Sequence, residues 1–258
     1  MLAALRKLLC FIAVWALMIG CFSSGSAQEY SIADLSESCP DDFSAYHLPE
    51  GGWDITGYEG HAQKVTVPQQ IHGERVLGIY DRAMFFHQEA VVLILPKRLD
   101  YIGNSAFYGM SNLRQVHFPT SLRLISSYAF SKCGQLESIL LPQDLTMICE
   151  SAFSYCYSLT EVNIPDNVTV LGRYAFAHCD GLTTAVLPES LTMLEEGVFY
   201  ACPALKQVTI PAGVKRIHPQ SFSQCPQLVL TVTPGTEGER YALEMGIPCR
   251  YAEQPEVT

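Results

Sequence analysis

The stretch at residues 150–165, ESAFSYCYSLTEVNIP, contains the features that decide the fold of this chain. An Ala-Phe pair is followed three residues later by Cys156, and the stretch ends in alternating apolar and polar residues before Pro165. Such alternation is typical of a short strand, and a proline cannot donate a hydrogen bond to a sheet. The small and aromatic neighbours of Cys156 leave two interpretations, a nucleophile or a packing residue.

The same pattern recurs at a fixed interval, which indicates a repeat protein. From Pro96 to Pro234 a proline occurs every 23 residues, whereas the interval from Pro68 to Pro96 is 28 residues. The same spacing holds for Phe107, Phe130, Phe153, Phe176, Phe199 and Phe222, and for Cys133, Cys156, Cys179, Cys202 and Cys225. One such unit cannot bury its own apolar side, so successive units are expected to stack as coils about 4.8 Å apart.

The repetition decides between the two interpretations of Cys156. A catalytic thiol is unique and has a base beside it, whereas five equivalent cysteines suit a column of small apolar side chains. Neighbouring coils are close enough for a disulfide, but each cysteine has two equivalent neighbours, and burial keeps thiols protonated. We therefore expect mostly free thiols, including Cys39, Cys149 and Cys249 outside the column.

Each unit predicts the parts of one coil. LTEVNIP predicts a strand, VTVLG a second short extended segment, and RYAFAHC a helical or 3₁₀ turn at the corner between them. The number of recurring prolines indicates about eight coils. Parallel crossovers are nearly always right-handed, so a right-handed stack is expected.

The pattern P-x-x-[LV]-x-x-[IL]-x-x-x-A-F-x-x-C-x-x-L-x-x-V-x-I resembles the BspA-like leucine-rich-repeat family of bacterial surface proteins, over roughly residues 53–252. The resemblance implies a leucine-rich-repeat β-solenoid with short parallel strands. It implies an opening cap in which an inserted turn around His72 and Gly73 accounts for the longer first interval. It also implies a closing cap made of a short helix and a final strand, in which Cys249 stands where the family commonly has phenylalanine.

The chain divides into five predicted segments. Residues 1–27 form a signal peptide, because Arg6 and Lys7 precede an apolar run at residues 8–20 that is followed by small residues. Cleavage after Ala27 and lipidation of Cys21 in the lipobox-like MIGC both remain open, so the protein is exported and either secreted or lipid-anchored at the cell surface. An acidic lead-in (28–50), an N-terminal cap with the first repeat (51–95), six 23-residue repeats (96–233) and a C-terminal cap and tail (234–258) follow.

Composition and motifs exclude several classes of function. The formal net charge of −10 disfavours nucleic acid as a partner, and leaves a lipid anchor as the only expected link to a membrane. The sequence has no HExxH, GxSxG, phosphate-loop or CxxC motif, and its seven histidines are scattered. We expect no enzymatic activity, no metal site and no cofactor.

The outward positions of the predicted strands form the first candidate binding surface. Two residues before each proline stand Ile94, His117, Leu140, Asn163, Val186 and Thr209, and four before it stand Val92, Gln115, Ser138, Glu161, Thr184 and Gln207. Only Glu161 is charged. Few charges and interleaved aliphatic side chains suit a protein interface, although ordinary β-propensity also favours such residues.

A second candidate surface lies five residues after each proline, and we call it the ridge. Its apolar members are Tyr101, Leu124, Met147, Val170 and Met193, and Arg216 occupies the last equivalent position. In the alternative, this column turns inward and its polar neighbours Asp100, Arg123, Thr146, Thr169, Thr192 and Lys215 face solvent. The predicted function is recognition of a protein partner, with adhesion or contact with host or matrix implied by the resemblance. The alternative is a structural or self-associating envelope component.

Overall fold

The structure is a computed structural model that describes residues 35–252, so the predicted signal peptide and Cys21 lie outside the described residues. The chain winds through about nine turns, close to the eight counted from the prolines, and its repeated strands run parallel. The predicted leucine-rich-repeat β-solenoid is confirmed.

One side of the solenoid is built from strands that end just before each proline. They are β3 (Lys64–Thr66), β6 (Val92–Ile94), β8 (Gln115–His117), β11 (Glu161–Asn163), β13 (Thr184–Val186), β15 (Gln207–Thr209) and β17 (Val229–Val232). Neighbours pair in parallel one repeat apart, as in Glu161 with Thr184 and Thr184 with Gln207. In the three-residue strands the middle residue points inward, and we call the outward side the strand face.

A second side is built from strands of two residues. They are β7 (Tyr101–Ile102), β9 (Leu124–Ile125), β10 (Met147–Ile148), β12 (Val170–Leu171), β14 (Met193–Leu194) and β16 (Arg216–Ile217). In each, the second residue is buried and the first belongs to the ridge. Hydrogen-bonded pairing is continuous from β7 to β12, and β14 pairs with β16.

The N-terminal end is covered by a cap that extends the second sheet. A 3₁₀ helix (Pro40–Asp42) leads into β1 (Phe43–His47), which pairs antiparallel with β2 (Trp53–Tyr58), and β2 pairs in parallel with β5 (Glu74–Ile79). Part of segment 28–50, predicted as a solvated lead-in, therefore lies within the folded cap.

The longer first interval contains a tight hairpin. β4 (Gln70–Ile71) pairs antiparallel with the start of β5, and the two residues between them, His72 and Gly73, both have positive φ, 52° and 84°. Two consecutive left-handed residues are the requirement of a type I′ hairpin turn. The five extra residues of the first unit are thus accommodated by this hairpin and its turn.

The C-terminal end is closed by α1 (Glu237–Met245) and β18 (Cys249–Tyr251). The helix ends at Gly246, which has the left-handed conformation with φ 66°. Glycine adopts this conformation readily because it has no Cβ atom. Tyr241 and Ala242 of α1 are buried against the last coil, and β18 pairs in parallel with β17. The cap covers apolar side chains that the stack would otherwise leave open.

The corners contain the predicted 3₁₀ turns, each as a single turn. Hydrogen bonds of the 3₁₀ type are present, such as Tyr108 N to Ser105 O at 3.2 Å, but left-handed residues such as Ser105 (φ 53°) and Gly109 (φ 73°) interrupt them. No continuous helix forms at these corners. Instead, the amide of Phe107 donates to the carbonyl oxygen of Ala129 in the next coil (2.9 Å), and later coils repeat this bond.

Two columns of identical residues fill the interior. Successive rings of the phenylalanine column stack with centroids 5.0 to 5.8 Å apart. Each cysteine thiol donates to the carbonyl oxygen of the phenylalanine one coil earlier, as in Cys156 Sγ to Phe130 O at 3.4 Å. None of the eight cysteines in the described residues is in a disulfide.

The chemistry of the cysteine column agrees with a packing role. Burial raises the pKa of the Cys133 and Cys179 thiols to about 12 and that of Cys156 well above its ordinary value. A thiol with such a pKa stays protonated at neutral pH and is a poor nucleophile. Cys156 is thus a core residue that also satisfies a buried carbonyl group.

Candidate functional site

The strand face presents its predicted outward row to solvent. His117, Leu140, Asn163, Val186 and Thr209 are exposed, and Ile94 at the N-terminal end is half-buried. Leu140 is 87% exposed and Val186 is 54% exposed, although both are apolar. These two side chains are the most prominent apolar groups of the row.

The neighbouring row, four residues before each proline, is outward except at its N-terminal end. Ser138, Glu161, Thr184 and Gln207 are exposed and Gln115 is half-buried, whereas Val92 is buried. Val92 is therefore part of the core, and the prediction that it faces outward is wrong. The exposed remainder has one charged member, Glu161, in a chain of net charge −10.

The strand face is interrupted at one coil. Residues 138–140 are not assigned to a strand, so the sheet divides into β3-β6-β8 on one side and β11-β13-β15-β17-β18 on the other. Ile139 occupies the inward position that Val116 and Val162 hold in the flanking coils, but it is only partly buried. Leu140, the most exposed member of the outward row, lies in this segment.

The ridge residues lie on the outside, so the alternative of an inward-turned column does not hold for their side chains. Met147 and Val170 are 38% and 41% exposed, whereas Tyr101, Leu124 and Met193 are half-buried. Most of the polar neighbours that precede them, Asp100, Arg123, Thr169, Thr192 and Lys215, are exposed as well, and Thr146 is half-buried. Both columns thus border solvent.

Contacts at both ends restrict the free part of the ridge. The hydroxyl of Tyr101 donates to the buried carboxylate of Asp54, and burial together with this hydrogen bond raises the pKa of Tyr101. At the other end, Arg216 Nε lies 3.1 Å from the sulfur of Met193. The freely exposed apolar part of the ridge is therefore its centre, Met147 and Val170.

A third surface, absent from the sequence predictions, lies on the corners, and we call it the aromatic corner. Its residues are Phe85, Phe86, Tyr108, Tyr128, Tyr155, Tyr157, Tyr174, His178 and Tyr200. Tyr128, Tyr155, Tyr174 and His178 have φ between 56° and 61°, so the left-handed corner positions carry rings.

The sequence contained a sign of this surface. Aromatic residues fill variable positions on either side of the recurring phenylalanine, which follows an alanine in four of the six repeats, as in Tyr128, Tyr155 and Tyr174. Aromatic side chains are large apolar groups that often carry binding energy when they are exposed. The rings occupy several different repeat positions, so no single position along the repeat reveals the cluster.

No group of three or more His, Cys, Asp or Glu residues between residues 35 and 252 is arranged to hold a metal ion. In the same part of the chain, no helix is both long and apolar enough to cross a membrane.

Comparisons with known proteins agree with this architecture. A model of the BspA type leucine-rich repeat region matches residues 79–206 and 146–236, with six copies. A leucine-rich repeat protein of T. pallidum is 28% identical with a TM-score of 0.72, and the match covers 84% of this chain and 100% of that chain. A leucine-rich repeat protein of Bacteroides ovatus is 27% identical with a TM-score of 0.68, over 80% of this chain and 55% of that one.

No curated protein sequence matches the chain significantly. Leucine-rich repeat solenoids are typically binding scaffolds without enzymatic activity, and they generally mediate interactions between proteins.

Proposed function

Because the chain belongs to the BspA type leucine-rich repeat family, we propose that it is an exported surface protein that recognises a protein partner through the strand face. The partner is a host, matrix or envelope protein. Export follows from the predicted signal peptide, with release after Ala27 or anchoring through Cys21 as the two routes. In this proposal the chain works by adhesion, with no cofactor, no metal and no nucleic acid.

The exposure of Leu140 and Val186 on a row without charges carries this proposal. A leucine that is 87% exposed contributes nothing to the core, and exposed apolar side chains among uncharged polar ones are typical of interface centres. Thr184 and Thr209 lie beside Val186 on the same exposed sheet and supply hydroxyl groups for hydrogen bonds.

The test is binding of the mature chain to a panel of purified extracellular-matrix and bacterial envelope proteins, measured by biolayer interferometry. A Leu140→Asp/Val186→Asp variant is expected to weaken the captured interaction by at least about tenfold, equivalent to about 1.4 kcal/mol. Leu243→Asp is the matched control, since Leu243 is 70% exposed on α1 and belongs to neither outward row of the strand face. Equal binding by both variants, with the fold retained, contradicts the strand face as the interface.

The exposed centre of the ridge favours self-association as a second candidate function. Met147 and Val170 pair in register on adjacent strands and place two apolar side chains on the surface. Size-exclusion chromatography with light scattering should then show an oligomer that a Met147→Ser/Val170→Ser variant converts to a monomer. A wild-type chain that stays monomeric at high concentration rules this function out.

A further inference from the structure

An open depression of about 320 Å³ lies within the aromatic corner, on a different part of the surface from the strand face. Tyr155, Tyr174, His178 and Tyr200 form its walls, and Ser154 and Ala177 line it between them. This volume lies at the lower end of the range of about 300 to 1,000 Å³ that is common for small-ligand sites.

The rings form two walls that meet at a steep angle. Tyr155 and His178 stack nearly in parallel, with centroids 4.4 Å apart and planes at 6°. Tyr200 meets His178 at 70° and 5.5 Å, and Tyr174 meets Tyr200 at 77° and 6.1 Å. All four rings are partly exposed. Because Tyr155 and His178 cover one face of each other, a flat apolar ligand face can stack only on an outer face of this pair.

Several polar groups in this depression remain available to a ligand. The hydroxyl of Tyr200 accepts a hydrogen bond from Gln224 Nε2 at 2.6 Å, which leaves its own proton free to donate. Gln220 contributes an exposed amide, and within residues 35–252 the hydroxyl of Tyr155 makes no hydrogen bond. By contrast, Tyr174 donates to Glu196 at 2.6 Å and Ser154 donates to the carbonyl oxygen of Ser151 at 3.0 Å.

The lining has no carboxylate, ammonium or guanidinium group, although the chain has a net charge of −10. A charged ligand would bury its charge here without a counter-ion, which costs free energy, whereas a neutral ligand has no such cost. Ring faces suit the C–H face of a pyranose, and tyrosine, imidazole and amide groups suit its hydroxyls. We infer that this depression binds a neutral saccharide, with the face of Tyr155 that does not contact His178 as the stacking surface and Tyr200 as a hydrogen-bond donor.

This site does not depend on the proposed function, because the strand face contributes no residue to it. The experiment is isothermal titration of the full-length mature chain with cellohexaose, maltohexaose and chitohexaose. At least one of these neutral hexasaccharides is expected to bind. Tyr155→Ala should weaken that binding by at least about tenfold, and Tyr200→Phe, which keeps the ring, by roughly threefold to tenfold.

Two controls separate the site from general effects on the fold. Tyr80→Ala removes an exposed tyrosine outside the depression and should leave saccharide binding unchanged. Circular dichroism melting of each variant shows whether the fold is intact, and Tyr200→Phe serves if Tyr155→Ala fails to fold. The inference is overturned if none of the hexasaccharides binds at millimolar concentration. The inference is also overturned if the folded variants bind the saccharide as tightly as wild type. It is likewise overturned if the wild-type protein binds a proline decapeptide but none of the saccharides.

Discussion

The central coils and the N-terminal cap satisfy their buried polar groups in different ways. In the coils the partner lies one repeat away: Ser131 Oγ and Ser154 Oγ are 2.8 Å apart, and every thiol of the cysteine column donates to a phenylalanine carbonyl. Within residues 35–252, three buried side-chain atoms lack a hydrogen-bond partner, and all three lie in the N-terminal cap with the first repeat, residues 51–95: Trp53 Nε1, Asp54 Oδ1 and His87 Nε2.

Translation along the axis explains the difference. When the buried polar groups of one coil find partners in the next coil, every further copy of the coil forms the same hydrogen bonds. No additional type of side chain is needed as the stack grows. The cap has no preceding coil and must satisfy each group individually. Buried polar groups without partners cost free energy, so we expect the cap to be the less stable and more pH-sensitive end.

The largest expected effect is at the phenylalanine column of the central coils. Phe153→Ala should lower the free energy of unfolding by about 3 to 5 kcal/mol, because a fully buried ring leaves a cavity between Phe130 and Phe176. Urea denaturation followed by circular dichroism measures this loss. Tyr157→Ala is the control on the exposed corner and should change stability little; a loss of similar size there would contradict the assignment of faces.

The next effect is at the junction of cap and ridge. Tyr101→Phe removes the donor to Asp54, whose other oxygen already lacks a partner, and should cost about 1 to 3 kcal/mol. Tyr174→Phe is the matched change in a central coil, where Glu196 keeps its ion pair with Arg173 and the loss should be smaller. Equal losses in thermal or urea unfolding would mean that the cap is no more sensitive than the coils.

A smaller effect is expected when the cap is acidified. Burial, and the nearby His61, lower the pKa of His87 below 6.5, against an opposing effect of Glu89. Below about pH 6.5 the unfolded chain therefore binds a proton that the folded chain does not, so stability should fall as pH drops from 7 to 5.

His87→Phe keeps a ring against Tyr58, whose centroid lies 4.9 Å from that of His87, and removes the titrating group. Its urea midpoint should vary less between pH 7 and 5 than that of wild type. His117→Phe, on the exposed strand face, should retain the wild-type dependence. An unchanged dependence in His87→Phe would place the pH sensitivity elsewhere.

The smallest effect is expected on the strand face. Asn163 is exposed, and replacing it by alanine should change the free energy of unfolding by less than about 0.5 kcal/mol. Differential scanning calorimetry can measure this difference beside Phe153→Ala. Losses of similar size at the two positions would mean that inward and outward columns have been exchanged.

The fold was largely predictable, because each inward column repeats its residue type. Phe153 and Cys156 have equivalents in the neighbouring coils, so one interval predicts the stacking, the parallel strands and the packing role of the thiols. β1 was not predictable from repetition, since it pairs antiparallel with β2 and has no equivalent in the coils. The break at residues 138–140 was also missed, because Ile139 fits the pattern of its column.

The candidate surfaces were less predictable, since exposure depends on neighbouring side chains. The sequence left open whether the ridge faces outward or inward, and the contacts of Tyr101 with Asp54 and of Arg216 with Met193 appear only when distant residues come together. The aromatic corner depends on left-handed residues such as Tyr128 and Tyr155, which no glycine marks. Hydrogen bonds to the next coil accompany these conformations, as in Tyr128 N to Glu150 O at 2.9 Å.

The 23-residue period is enough to specify the length of each coil, the identity of its inward columns and the parallel stacking of its strands. Those properties follow because each coil is a translated copy of the one before it, and the repeated sequence encodes that translation. The folded arrangement of the coils specifies which outward side chains are free, where the sheet is interrupted and how rings from different columns meet. These properties arise from lateral contacts between non-identical residues on adjacent coils, which a period does not record.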